Sequence, residues 1–65
     1  MEQASTLLNN WIKLEGRKVG WLADQLGASP DAVRNWRRGN RLPIMPYRRE
    51  IERITGGAVP ADAWK

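Results

Sequence analysis

Apolar residues recur at helical spacing along most of the chain. Ala4, Leu7, Leu8, Trp11 and Ile12 form one stripe, which predicts a first helix from about Gln3 to Leu14. Ser5 or a near neighbour is expected to cap it, Gly16 to end it and Trp11 to lie in the core. Val19, Leu22, Ala23 and Leu26 follow i, i+3, i+4, i+7 and predict a second helix, stopped by Gly27. Ser29 then reads as the N-cap of a third helix. Pro30 takes its first position, where a missing N–H does no harm, and Asp31 meets the positive end of the helix dipole. Val33 and Trp36 mark its inner edge, and Gly39 with Asn40 its end. Arg41, Leu42 and Pro43 predict an extended loop, because the residue before proline avoids helical conformation. Pro46 is expected to open a last helix running to about Thr55, with Tyr47, Ile51 and Ile54 inward. Gly56 and Gly57 break it, and Val59 folds back to seal it. The predicted fold class is all-α, a small bundle of four to five helices with no strand.

The outer edge of the third helix differs from an ordinary solvated face in its content. Asp31, Arg34, Asn35 and Arg38 follow i, i+3, i+4, i+7 opposite Val33 and Trp36. An acid, an amide and two guanidinium groups carry the donors and acceptors that match base edges in a DNA major groove. Alone, such a face is more often simply hydrated. The helix and turn before it are what favour recognition.

The stretch VGWLADQLGASPDAVRNWRR, residues 19–38, resembles the helix-turn-helix of the Cro and lambda-repressor-like family of phage and bacterial regulators. Ala23, Gly27, Val33 and Trp36 match its small residue at the helix crossing, its turn glycine and the apolar pair that anchors its recognition helix. Trp36 to Gly39 followed by Arg41, Leu42 and Pro43 is similar to the loop after that helix, and IERITGGAVP to the segment that closes small Cro-type repressors. The matches cover roughly two thirds of the chain in the family's order. The resemblance implies a single lambda-repressor-like domain over residues 1–65, with its helix-turn-helix core at 19–38 and a C-terminal helix and tail at 46–65. It implies a transcriptional regulator, a repressor that occupies an operator in double-stranded DNA as a homodimer. Ser29, Pro30, Asp31, Arg34, Asn35 and Arg38 are then the base-reading candidates. Arg17, Lys18, Arg37 and Arg41 are the phosphate candidates. Two positions depart from the family. Val19 stands where a phosphate-binding glutamine is frequent, and Pro30, where a polar side chain often reads a base, offers only apolar contact.

Composition sharpens this picture. A 65-residue chain is one domain that buries only about 60% of its unfolded surface. Without cysteine or histidine, neither a disulfide nor a zinc cluster is expected to hold it, and no cofactor is implied. No apolar run reaches the length of a membrane span, and MEQAST lacks the features of a signal peptide, so a soluble cytoplasmic protein is expected. The net charge of +4 is unevenly placed: Arg34, Arg37, Arg38, Arg41, Arg48, Arg49 and Arg53 face only Glu50 and Glu52 between residues 34 and 53. That surplus suits a polyanion, and these residues do not line the apolar helix face that a membrane surface requires. Arg48, Arg49 and Arg53 are expected on the outer face of the last helix, solvated and paired with Glu50 and Glu52.

Several side chains have two readings. Arg17 and Lys18 make either a phosphate-binding corner or a solvated basic turn. Arg37 meets a phosphate or covers Trp36 with its stem. Trp21 packs on the first helix or gives its N–H to the DNA backbone, and Trp64 caps its own core or fills a neighbour's surface. Exposure of both tryptophans would favour the alternative function, a protein-interaction module or antitoxin-like adaptor. RNA binding is the weaker third reading, since the tryptophans fit helix stripes rather than stacking platforms among basic residues. An enzyme acting on a small-molecule substrate is not expected. Glu2, Glu15, Asp24 and Asp31 form no paired arrangement, and no glycine-rich phosphate loop follows a strand.

Overall fold

The computed structural model describes residues 3–16 and 18–64, which form α1 (Ala4–Glu15), α2 (Val19–Leu26), α3 (Pro30–Arg38), α4 (Met45–Ile54) and a single 3-10 turn, Ala61–Ala63. No strand occurs among the described residues. α3 is the central element, packed on α1 along one side and on α2 along the other, while α4 packs on α2 and carries the 3-10 turn. Principal extents of 27 × 24 × 21 Å leave little room for more than one layer of buried side chains. None of the helices described is long and apolar enough to cross a membrane.

α1, α2 and α3 each stop where the sequence places a glycine. Gly27 (φ 68°) and Gly39 (φ 79°) both take the left-handed conformation that costs any other residue. After each, a backbone N–H reaches back to a carbonyl of the last turn: Ala28 N–H to Ala23 O at 2.9 Å and Asn40 N–H to Asn35 O at 3.0 Å. Ser29 caps α3 by accepting the Ala32 N–H at 3.1 Å. Ser5 does not cap α1. Gln3 is the N-cap, with no side-chain hydrogen bond, and Ser5 lies inside the first turn. Its hydroxyl is 3.5 Å from where a Cβ on Gly39 would sit, so this row of α1 borders the end of α3.

The core draws on every helix. Ala4, Leu8, Ile12, Leu22, Ala23, Val33, Trp36, Ile51, Val59 and Trp64 are buried together. Trp36 bridges α3 to α4 by packing on Tyr47, with ring centroids 5.3 Å apart at 44°. Trp11 departs from the core position expected of it. It is half-buried at the edge of the α1 stripe and packs on Trp21 of α2, centroids 6.3 Å apart. The stripe is wider than the surface available to cover it.

The tail is held by polar contacts as well as by packing. Thr55, which caps α4 and is buried, donates its hydroxyl to Ile51 O at 2.7 Å and accepts the Val59 N–H at 3.2 Å. Both of its hydrogen-bonding roles are satisfied, as burial requires. Glu52 accepts the Ala61 N–H at 3.3 Å. Trp64 is only 4% exposed and closes the core of its own chain. Its indole Nε1 has no partner among the described residues, a desolvation cost of about 1 to 3 kcal/mol that its apolar burial must exceed.

Candidate nucleic-acid interface

α3 has one apolar edge inside the protein and its opposite edge in solvent. Val33 and Trp36 are buried; Pro30, Asp31, Arg34 and Arg38 are exposed, and Asn35 is half-buried beside them. Successive residues of a helix turn by 100°, so the burial of the first pair fixes the direction of the second set. Trp36 is therefore what aims the basic face outward.

The exposed face is already partly charge-compensated. Arg34 Nη1 donates to Asp31 Oδ1 at 2.6 Å, with side-chain exposures of 50% and 86%. A pair this open contributes under about 1 kcal/mol. Either group can therefore turn to another partner at small cost. Ser29 is exposed at the N-cap, and its oxygen accepts the Ala32 N–H.

Arg37 is held in a way that neither sequence reading described. It is half-buried, and its Nε donates to Asn9 Oδ1 of α1 at 3.1 Å. It thus bridges α3 to α1 through its guanidinium. Asn9, Arg34, Arg37 and Arg38 line an open hollow of about 380 Å³ between the two helices. Among the described residues, Asp31 on Arg34 is the carboxylate ion-paired to this group; Arg37 and Arg38 have none. The hollow is therefore positively charged.

Other candidates lie apart from it. Lys18 is exposed at the N-cap of α2, and Arg41 is exposed in the loop after α3; neither lines the hollow. Arg17 lies outside the described residues. On α4, Arg53 pairs with Glu50 at 2.7 Å, which holds the Glu50 carboxyl below its usual range through the hydrogen bond. Arg48 is not a solvated outer residue. It is half-buried, donating Nε to Pro43 O at 2.6 Å and Nη1 to Trp64 O at 3.5 Å. Glu52 serves the Ala61 backbone rather than an arginine.

Asn9 is the residue of this hollow that sequence reasoning missed. The available signal was the polar row Ser5 and Asn9, spaced i, i+4 beside the apolar stripe, which is the spacing of side chains that face one neighbour. Among the described residues no three histidine, cysteine, aspartate or glutamate side chains gather as a metal site would need. Compared with known proteins, the chain matches no family model, no curated protein and no solved structure.

Proposed function

We propose that this chain is a sequence-specific, double-stranded DNA-binding transcriptional regulator of the Cro type, cytoplasmic, with α2 and α3 as its helix-turn-helix and two copies reading one operator. The observation that carries this reading is α3 itself. Its apolar edge is locked inside by Val33 and Trp36, while Arg34, Arg38 and Asp31 stand exposed on a helix thin enough to enter a major groove. Arg34 and Arg38 meet guanine or phosphate, Asn35 adenine, and Asp31 a cytosine amino group; Ser29 and Pro30 lie at the leading end of the helix. Lys18 and Arg41, with Arg17, set register through phosphates.

A second reading, a protein-interaction adaptor, rests on different residues from those first considered. Trp64 is buried and offers no surface, but Leu42 and Ile44 on the loop into α4 and Met45 at its first position are 47%, 62% and 48% exposed. Selection of bound sequences from a random duplex pool separates the readings. A regulator enriches an inverted repeat with half-sites about one helical turn apart. An adaptor enriches nothing.

A further inference from the structure

We infer that the hollow between α1 and α3 is a binding site for one backbone phosphodiester of duplex DNA, and that Asn9 is the positioning residue that prepares it. This rests on the DNA-binding reading of α3. The argument begins with which end of Arg37 is occupied. Asn9 Oδ1 takes the Nε–H, at 3.1 Å, and leaves the two terminal nitrogens of the guanidinium unclaimed by that contact. Those nitrogens form the fork that grips a phosphate. The partner is an amide and not a carboxylate, so Arg37 is oriented without being neutralised. Half-burial of Arg37 against α1 restricts its rotamers before any ligand arrives, which lowers the ordering cost of binding.

The surroundings select an anion. Arg34 and Arg38 line the same hollow as Arg37, and Asp31 on Arg34 is the acid paired to them among the described residues. Three guanidinium groups against one carboxylate leave a local surplus of positive charge, concentrated where α1 meets the recognition face. A helix seated in a major groove is flanked by the sugar-phosphate backbone, and a site on the α1 side of α3 lies where that backbone runs. α1 thereby becomes part of the DNA interface. Arg37 is the anchor, and Arg34 and Arg38 add field at the mouth while still reaching toward base edges.

The test uses the full chain and a duplex carrying the selected site. Asn9→Asp keeps an acceptor for Arg37 and adds a negative charge. It should preserve the thermal midpoint, weaken all duplexes by about tenfold and make the salt dependence of affinity shallower by about 1. Asn9→Ala removes the acceptor but no charge, and should weaken binding by less with the salt slope unchanged. Replacing phosphates singly by neutral methylphosphonates should reveal one position that costs wild-type affinity and to which both Asn9→Asp and Arg37→Gln are indifferent. Asn9→Asp binding with wild-type affinity and slope would overturn the site and leave the DNA-binding reading standing. Failure of the wild-type chain to bind any duplex would overturn both.

Discussion

The arginines of α3 and those of α4 belong to one basic stretch of sequence, yet they meet different partners. On α4, Arg48 is consumed by the carbonyls of Pro43 and Trp64, and Arg53 by the Glu50 carboxylate. On α3, Arg37 is met by a neutral amide, Arg34 by one open aspartate, and Arg38 by no carboxylate among the described residues. Arg48 of α4 and Arg37 of α3 are half-buried and tie elements together, while Arg34, Arg38, Arg49 and Arg53 stand exposed at the surface. The lesson is that a basic patch is defined by which charges lack internal compensation, not by how many arginines the sequence contains.

The strongest way to break the contrast is to remove what aims α3. Trp36 is 4% exposed and joins α3 to Tyr47 of α4. Trp36→Ala costs about 3 to 5 kcal/mol, and a domain of this size has about 3 to 10 in total. The variant should lose its helical circular dichroism at ambient temperature, and a folded spectrum would contradict this. Next in size is Arg48→Ala, which deletes charge-assisted bonds to two carbonyls. It should lower unfolding stability by about 1.5 to 3 kcal/mol, whereas Arg34→Ala should change it by under about 0.5 kcal/mol. Chemical denaturation of both variants measures the difference, and equal losses would erase the distinction between the two helices.

The smallest effect concerns the Arg53–Glu50 pair. The Glu50 carboxyl titrates below its unfolded value because Arg53 hydrogen-bonds it. Its contribution to stability is therefore present above the unfolded glutamate pKa and lost as pH falls through the depressed folded value. The pair is open to solvent, with side-chain exposures of 69% and 47%, which keeps that contribution slight. Glu50→Gln should unfold at a marginally lower temperature than wild type at neutral pH, with the gap closing in acid.

The helices were legible in the sequence because local chemistry decides them. Gly16, Gly27 and Gly39 each end a helix with positive φ, and Ser29 caps α3 through its own hydroxyl. What was not legible depended on contacts distant along the chain. Arg48 reads as an outer-face residue until the tail returns to place the Trp64 carbonyl beside it. Asn9 and Arg37 meet across 28 residues, and the i, i+4 row of Ser5 and Asn9 signals a shared neighbour without saying which one. Trp11 belongs to the apolar stripe, but it is Trp21 that determines how far the ring is covered.

On the proposed function, α3 and not α4 faces DNA. Equilibrium binding of Arg34→Gln and Arg53→Gln to the selected duplex and to random duplex tests it most directly. The account predicts that Arg34→Gln weakens the selected site by about 1 to 3 kcal/mol and narrows its advantage over random DNA, while Arg53→Gln leaves that advantage intact. Equal losses for the two variants on both duplexes would contradict it.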